Sequence, residues 1–280
     1  MNSASSPSAV LPLARVTALY DYPVKGCRGC AVDHVVIKPD GPRDDRRFMV
    51  VGEADGRFLS QRSHPIMSQI GTELTATDLT LTHSGFASIT VPRAESAPTL
   101  RAVSVWSSHD LQAEDAGDDV AAWLSELLDT AVRLVRTGPA FDRRRADTGD
   151  HVGFADGFPL LVASEASLAD LNDRLLARGA DAVPMDRFRP NIVVSECTAF
   201  AEDTWTNFTI GDAAFRAGGP CARCSVTTVD QATAERGPEP LRTLATFRRD
   251  AQKSSNVNFG QNLLIAAPGT IRVGDEVFAS

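Results

Sequence analysis

Several features that classify a new protein are scarce in this sequence. Only five of its 280 residues are cysteine, which excludes a disulfide-stapled scaffold and favours a reducing, cytoplasmic location. No apolar run approaches the roughly 18 residues needed to cross a bilayer, so no membrane span is expected. The opening MNSASSPSAV lacks the charged start and apolar stretch of a signal peptide. We therefore expect residues 1–12 to form a disordered tail.

Positive charge is also in short supply. The chain has 28 Lys and Arg against 36 Asp and Glu, a formal net charge of −8. A nucleic-acid partner or an acidic membrane surface is therefore not expected, and an anionic ligand would need a local basic pocket. The histidines are far apart without metal-ligand spacing, and the sequence has neither a P-loop nor a dinucleotide-binding glycine motif.

Short β-like runs separated by turns occupy much of the chain. Val16–Tyr20, Val32–Ile37 and Arg47–Val51 are β-branched or alternating, and turn residues such as Pro39-Asp40-Gly41-Pro42 separate them. Further strands are predicted at Leu79–Thr82, Ile89–Val91, Val132–Val135, Phe158–Val162, Ile192–Val194, Thr209–Ile210, Val226–Val229, Leu263–Ile265 and Ile271–Val273. This pattern predicts a mainly β (α+β) chain that forms barrels or sandwiches.

Helical periodicity is confined to a few segments. Ala116–Leu128 has one apolar face, and a second helix starts between Ser164 and Ser167 and ends near Ala177. Ser167 and Asp170 resemble a capping box for that helix. Between the two helices, charged residues cluster at Arg143, Arg144, Arg145, Asp147 and Asp150, and we expect a solvated loop there.

The cysteines include two CxxC pairs, Cys27–Cys30 and Cys221–Cys224. Alone, they allow a zinc site with four thiolates, a redox pair or buried inert thiols. Cys224, however, follows a Gly-Gly-Pro turn, neighbours Arg223 and precedes a predicted strand. A guanidinium beside it should stabilise the thiolate, which is a natural ligand for a transition metal with sulfur-rich coordination.

Four basic residues fall at predicted strand edges or turns, namely Lys25, Arg47, Arg189 and Arg223. Lys25 lies in YPVKG and Arg189 in FRPN, where small or rigid neighbours accompany the charge. Arginine forks in such positions suit phosphate recognition, although a surface charge is the commoner role for any single one of them.

Several motifs together resemble the MOSC domain family (molybdenum cofactor sulfurase C-terminal). They are FRPNIVVS, FAEDTW, CARCSVTTVD, NFGQN and the terminal IRVGDEV. SEASLADLN is similar to the mitochondrial amidoxime-reducing components and their bacterial relatives. YPVKGCRG and DRRFMVV resemble the N-terminal MOSC-associated β-barrel domain of that branch. The resemblance implies such a domain at about residues 13–100 and a MOSC β-barrel domain at 101–280, with the boundary between about 100 and 150.

The resemblance also implies a cofactor and a reaction. The cofactor is the mononuclear molybdenum cofactor (Mo-molybdopterin), with Cys224 as the metal ligand and catalytic residue. By the same matching, Lys25, Arg47, Arg189, Asn191 and Arg223 hold the anionic cofactor, while Asp156, Gly157, Phe158 and Asn262 line its site. The implied reaction reduces N-hydroxylated compounds from N–OH to N–H.

The sequence departs from the family pattern at one cofactor position, and it leaves two other functions open. Gly26 stands where the branch commonly has serine, so one hydrogen bond to the cofactor is expected to be missing. The cysteines do not supply a plant-type iron–sulfur pattern, so electrons should come from a separate ferredoxin, flavoprotein or cytochrome. A sulfur carrier or transferase with a Cys224 persulfide is the first alternative, and a zinc-stabilised binding module is the second.

Overall fold

The computed structural model describes residues 11–94 and 99–280, and strands dominate it. The expected tail at residues 1–12 therefore falls almost entirely outside the described residues. The strands are β1 (Ala14–Asp21), β2 (Val24–Lys25), β3 (Cys30–Val32), β4 (His34–Lys38), β5 (Gly41–Pro42), β6 (Phe48–Gly52), β7 (Gly71–Leu74), β8 (Asp78–His83), β9 (Phe86–Pro92), β10 (Leu100–Val105), β11 (Ser108–Asp115), β12 (Val132–Arg136), β13 (Leu160–Ser164), β14 (Ile192–Ser195), β15 (Asn207–Ile210), β16 (Ala213–Ala222), β17 (Asn258–Ala267), β18 (Gly269–Arg272) and β19 (Glu276–Ala279).

Helices are few in the described ranges. The α-helices are α1 (Asp118–Leu128), α2 (Glu165–Ala177) and the single turn α3 (Leu241–Leu244). Short 3-10 helices occupy Pro65–Gln69, Met185–Arg187, Ala201–Thr204 and Ser225–Thr228. None of the helices in this part of the chain has the length and apolar character that crossing a membrane requires.

Seven strands close into a barrel. They pair in the order β14-β13-β17-β16-β15-β19-β1, and β1 returns to β14 through pairs such as Leu19 with Ile192. Burial largely alternates along β1 and β15, because successive side chains of a strand point to opposite faces, whereas β13 is buried at every position. Their buried side chains form one apolar cluster that includes Leu19, Val162, Ile192, Phe208, Phe215, Leu263 and Val277. The prediction of a mainly β chain with a barrel is confirmed.

A second unit is built around the five-stranded sheet β10-β11-β12-β6-β2. Helix α1 contributes Val120, Leu124 and Leu128 to the same apolar cluster as Val50 of β6 and Leu79 of β8. This sheet contains strands from both sides of residue 100, since β10 to β12 pack with β6 and β2. The domain boundary that the sequence analysis placed at about residue 100 stays a prediction.

Two local predictions were wrong. The expected strand Val226–Val229 is largely the 3-10 helix Ser225–Thr228. The hydroxyls of Thr227 and Thr228 donate to the carbonyls of Cys224 at 3.0 Å and Ser225 at 2.8 Å, which stabilises the tight turn despite the β-branched sequence. In addition, β3 and β4 are separate strands divided at Asp33, where one run from Val32 to Ile37 was expected.

Helix α2 has the expected extent but a different cap. Its N-cap is Ser164, whose hydroxyl accepts a hydrogen bond from the backbone N–H of Ser167 at 3.0 Å. The hydroxyl of Ser167 in turn donates to the carboxylate of Glu202, which is fully buried, at 2.8 Å. The cap therefore anchors the helix to the 3-10 turn that carries Glu202.

We expect Ser167→Ala to lower the free energy of unfolding by roughly 1–3 kcal/mol, because the buried carboxylate of Glu202 loses its hydroxyl partner. Urea denaturation followed by circular dichroism measures this loss. Ser88→Ala, at an exposed position of β9, is the control and should change stability by less than about 0.5 kcal/mol. Equal stabilities of the two variants would contradict the role assigned to Ser167.

Candidate functional site

A cleft of 460 Å³ lies between the barrel and the N-terminal unit. Five cationic side chains line it, together with one carboxylate, that of Asp156. The cations are Lys25, Arg46, Arg62, Arg189 and Arg223. The chain as a whole is acidic, so this is the local basic pocket that an anionic ligand requires.

Most of the residues selected from the sequence meet at this cleft. Lys25 lies in β2, and Asn262 lies in β17. The lining residues also include Asp156, Gly157, Arg189, Asn191, Arg223 and Cys224. Strand ends and loops from both halves of the chain bring these residues together, although they are up to about 240 residues apart in sequence.

Arg47 is the exception, because the structure does not bring it to the cleft. Its guanidinium donates to the carboxylate of Asp40 at 2.7 Å and to the carbonyl of Arg43 at 3.0 Å. The neighbouring Arg46 lines the cleft instead. Arg46 has a left-handed φ of 47°, so the chain turns sharply just before β6 and the two side chains diverge.

The thiol of Cys224 faces a guanidinium, but that guanidinium is not the one expected from the sequence. Arg62 donates to Cys224 Sγ at 3.1 Å. Arg223 instead contacts Cys221 Sγ at 2.9 Å and the carbonyl of Phe188 at 2.6 Å. The prediction that Arg223 stabilises the Cys224 thiolate was therefore wrong, and Arg62 is the cation in contact with that sulfur.

The structure separates the two CxxC pairs. Cys27 is fully buried in the N-terminal apolar cluster, where burial raises the pKa of its thiol to about 12. Cys30 contacts the carbonyl of Thr72. The described residues contain no group of three or more metal-ligating side chains, so the four-thiolate zinc site is excluded. The zinc-stabilised module loses its support with it.

A redox disulfide between Cys221 and Cys224 is also disfavoured. Ala222 belongs to β16, and the backbone of Cys224 is extended. Residues three apart in extended chain lie roughly 10 Å apart, whereas a disulfide needs Cα atoms within about 7 Å. Both thiols are free.

Asp156 collects donors at the rim of the cleft. Lys25 forms an ion pair with it, and Arg62 lies 3.4 Å from its second oxygen. The surrounding protein atoms alone would raise the pKa of Asp156, but the charges of Lys25 and Arg62 outweigh this effect and hold that pKa well below its usual range. Lys25 also donates to the carbonyl of Phe154 at 2.7 Å, and burial lowers the pKa of its ammonium group.

The loop that presents Asp156 is held by arginines that were expected to be solvated. Arg143 is buried and donates to the carbonyls of Gly153 at 3.0 Å and Asp156 at 2.9 Å. Arg145 lies 3.9 Å from the ring centroid of Phe158 and donates to the carbonyl of Gly157. These contacts fix the cleft wall, so the prediction of a solvated charged loop was wrong at these two positions.

Asn191 organises the opposite wall. It is buried, and its carbonyl oxygen accepts from Arg46 at 3.2 Å while its amide donates to Asp45 at 2.9 Å. Both Arg46 and Arg189 lie within 4.5 Å of the Tyr22 ring centroid. Asn191 thus acts on the cleft through Arg46, since its own amide atoms are engaged within the protein.

Arg189 tests whether the cleft suits the anionic cofactor that the resemblance implies. The residue is only 9% exposed, and the contact that its guanidinium makes among the described residues is with the ring of Tyr22, with no hydrogen bond or ion pair to an acceptor there. Burial lowers the pKa of this group. A buried guanidinium that opens into a cleft without a carboxylate partner needs an anion there, and the residues present therefore fit the cofactor.

Sequence reasoning missed Arg46 and Arg62. Arg46 was indistinguishable from its neighbour Arg47 because the turn before β6 decides which side chain enters the cleft. Arg62 lies in a turn closed by a hydrogen bond from His64 N to Ser60 O at 2.8 Å. Arg46 lies beside Arg47 in the DRRFMVV motif, which does not show which of the two enters the cleft, and Arg62 belongs to none of the motifs found in the sequence.

The backbone conformation and the close packing at Gly26 both favour glycine over serine at this position. Its φ is +87°, a conformation that glycine tolerates and other residues rarely adopt. A Cβ at this position would lie 3.0 Å from the side chain of Met67. A serine here would therefore require a backbone change or a shift of Met67.

Comparisons with known proteins agree with the resemblance. Residues 13–131 match the MOSC N-terminal beta barrel domain, and residues 149–278 match the MOSC domain. Mitochondrial amidoxime-reducing component 1 of Homo sapiens is 35% identical over 282 residues, which cover 94% of this chain and 82% of that protein. Mitochondrial amidoxime reducing component 2 of Bos taurus is 34% identical with the same coverage. Molybdenum cofactor sulfurase of Danio rerio is 34% identical over 88% of this chain and 31% of that protein.

Asp21, the last residue of β1, is a buried carboxyl group whose ionisation affects stability. Burial, with help from the carboxylates of Asp45 and Asp44, raises the pKa of Asp21 to about 7. The folded protein then binds this proton more tightly than the unfolded chain does. The stability that Asp21 contributes is thus fully present below about pH 4 and is lost as the pH rises through 7.

We therefore expect Asp21→Asn to be more stable than the wild type at pH 8, by on the order of 2–4 kcal/mol, with the advantage shrinking toward pH 4. Thermal denaturation of both proteins across this pH range measures the difference. Glu126→Gln, at an exposed position of α1, is the control and should show no such trend. A stability difference independent of pH would contradict the assignment.

Proposed function

The chain belongs to the MOSC domain family and carries the family's N-terminal β-barrel domain, and we propose that it is a molybdenum-cofactor-dependent reductase. It would convert N-hydroxylated compounds from N–OH to N–H with electrons from a separate donor protein. The relatives named amidoxime-reducing components support this reaction. The sparse free cysteines favour a cytoplasmic location, which remains part of the proposal.

One observation carries the proposal, namely that the Cys224 thiol lies in a cleft lined by five cationic side chains. A soft thiolate is a suitable protein ligand for molybdenum. The surrounding cations match an anionic cofactor, and Arg189 has no acceptor of its own among the described residues. A thiolate and a group of cations that outnumber the nearby carboxylates are together what a phosphate-bearing metal cofactor needs from a protein.

Some residues of the cleft would bind the cofactor directly, and others shape the cleft around it. Cys224 would supply the metal ligand, while Arg189, Arg223 and Arg46 would hold the negatively charged part of the cofactor by charge-assisted hydrogen bonds. Lys25 is already paired with Asp156, so it shapes the rim of the cleft and contributes less free charge. When bound, the cofactor would supply the two-electron chemistry that removes the hydroxyl oxygen of the substrate. The overall reaction consumes two electrons and two protons and releases water.

The second candidate is a sulfur carrier that uses a persulfide on Cys224. The similarity to molybdenum cofactor sulfurase favours it, and the exposure of Cys224 to the cleft would allow it. Sulfane sulfur on purified protein that lacks molybdenum would support this function over the reductase.

The proposal is tested on protein made in a host that synthesises the cofactor. Inductively coupled plasma analysis and pterin fluorescence should show molybdenum and pterin in the wild type. Reduced viologen should then drive the reduction of benzamidoxime, and NADH alone should not. We expect Cys224→Ser to abolish turnover, because the metal ligand is lost, and Cys221→Ser, at the other cleft thiol, to retain much of it.

The reverse result, with an active Cys224→Ser variant and an inactive Cys221→Ser variant, would contradict the assigned ligand. Viologen oxidation that does not depend on substrate would contradict the reductase reaction itself.

We expect Arg189→Ala to lose cofactor while the fold survives. Loss of one charge-assisted contact costs about 1.5–3 kcal/mol, or roughly a ten- to hundredfold loss of affinity. Removal of a buried, unpaired charge should not lower the melting temperature of the cofactor-free protein. Pterin content per chain measures the first effect.

Arg47→Ala is the matched control for this variant, because its guanidinium is bonded outside the cleft. It should retain the pterin content of the wild type. Full pterin content in Arg189→Ala, or its loss in Arg47→Ala alone, would show that the cofactor contacts differ from those proposed.

A further inference from the structure

Among the five cations that line the cleft, Arg62 is the one that donates a hydrogen bond to Cys224 Sγ. Its Nη2 lies 3.1 Å from Cys224 Sγ and 3.4 Å from Asp156 Oδ2. Its guanidinium carbon also lies 4.8 Å from the ring centroid of Trp106. The guanidinium is thus held between a carboxylate and an aromatic ring while it donates to the sulfur.

Trp106 covers the guanidinium of Arg62 from the solvent side. It lies in the two-residue turn between β10 and β11, where Val105 pairs with Ser108. Its side chain is 48% exposed, yet its indole N–H donates to Asp156 at 3.2 Å and its ring packs edge-on against Phe58 at 5.0 Å.

The backbone at Trp106 adopts a strained conformation. Its φ is 54°, in the left-handed region that a bulky side chain rarely occupies. Such strain persists where the surroundings impose it, and it is concentrated at functional sites. Here the left-handed turn is what aims the indole at Arg62 and Asp156 from the far edge of the N-terminal sheet.

The backbone at Arg62 is fixed from the barrel side. Gln61 and Gln231 exchange hydrogen bonds between their amides at 2.9 Å. Arg236 donates to the carbonyl of Gln61 at 3.1 Å and to that of Arg62 at 2.5 Å. Contacts therefore fix both the backbone of Arg62 and the guanidinium with which it donates to Cys224 Sγ.

We infer that Arg62 tunes the electron affinity of the metal that Cys224 binds, and that Trp106 is the positioning residue that keeps Arg62 on the sulfur. The inference rests on the proposed function. A hydrogen bond to a ligating sulfur withdraws electron density from it and stabilises the more reduced metal. Removal of this donor should therefore shift the reduction potential of the centre to more negative values.

The test is a redox titration of molybdenum-loaded protein, with metal and pterin content measured in parallel. Arg62→Met removes the donor at similar side-chain volume, and its midpoint potential should be more negative than that of the wild type. Arg62→Lys keeps a donor and a charge, and it should recover part of the shift. Trp106→Ala leaves every lining residue in place, and its potential should shift in the same direction as that of Arg62→Met.

Trp123→Phe is the matched control. Trp123 lies on α1, outside the cleft, and its indole N–H donates to Ala87 O at 2.7 Å. The midpoint potential of the Trp123→Phe protein should therefore equal that of the wild type. A merely structural role of Arg62 would change cofactor content or melting temperature and would leave the potential of the loaded fraction unchanged.

The outcomes separate this inference from the proposed function. A loaded Arg62→Met protein with the wild-type potential would overturn the inference and leave the reductase proposal standing. Wild-type protein that takes up no molybdenum would overturn both. If Arg62→Met loads no cofactor, Trp106→Ala and Arg62→Lys decide the question, and wild-type potentials in both would overturn the inference.

Discussion

The buried carboxylate of Asp45 joins the two parts of the molecule at the cleft. One of its oxygens accepts from the backbone N–H of Tyr22 at 2.9 Å and from the side chain of Asn191 at 2.9 Å, and the other pairs with Arg46. The end of β1, the turn before β6 and the approach to β14 therefore converge on one side chain. The positions of the cations at the cleft depend on this convergence.

Five cations are gathered in a small volume, and three of them are paired with two nearby carboxylates. Asp45 forms an ion pair with Arg46, and Asp156 forms ion pairs with Lys25 and Arg62. The ring of Tyr22 lies against the guanidinium groups of Arg46 and Arg189. Like charges at such spacing repel one another, and desolvation adds to the cost. Arg189 and Arg223 are left without an ion pair to a carboxylate among the described residues, since Arg223 bonds to Cys221 Sγ and the carbonyl of Phe188. The folded protein thus carries a local excess of positive charge that an anionic ligand would relieve.

Many of the elements and most of the residues that meet at the cleft were predictable, because they depended on local signals, whereas β10, β11 and β16 were not predicted. Alternating strands, the apolar face of α1 and the YPVK, FRPN and CARC motifs are each readable within about ten residues. Arg62 was not predictable, since a long-range contact with Cys224 defines its role. The 3-10 helix at Ser225–Thr228 was misread because its threonines bond back to the preceding carbonyls, which strand propensity does not anticipate. Arg143 was expected to be solvated, since nothing in the neighbouring sequence shows that its guanidinium donates to the backbone carbonyls of Gly153, Ala155 and Asp156.

The closure of the barrel has a consequence for how the protein is made. Strand β1 precedes the other described strands in the sequence, but its partners β14 and β19 follow only after about 170 and 260 residues, as the pairs Leu19–Ile192 and Ala14–Val277 show. Contacts between such distant segments form late, because the entropy of closing a long loop must be overcome first. Strand β3 pairs with the end of β1 locally, through pairs such as Leu19–Val32, but the edge of β1 that pairs with β14 stays open until late in folding. The lining of the cleft runs in sequence from Lys25 to Asn262, so the cleft is completed among the last parts of the molecule to form. A ligand that contacts all of its walls can therefore bind only after this late step of folding.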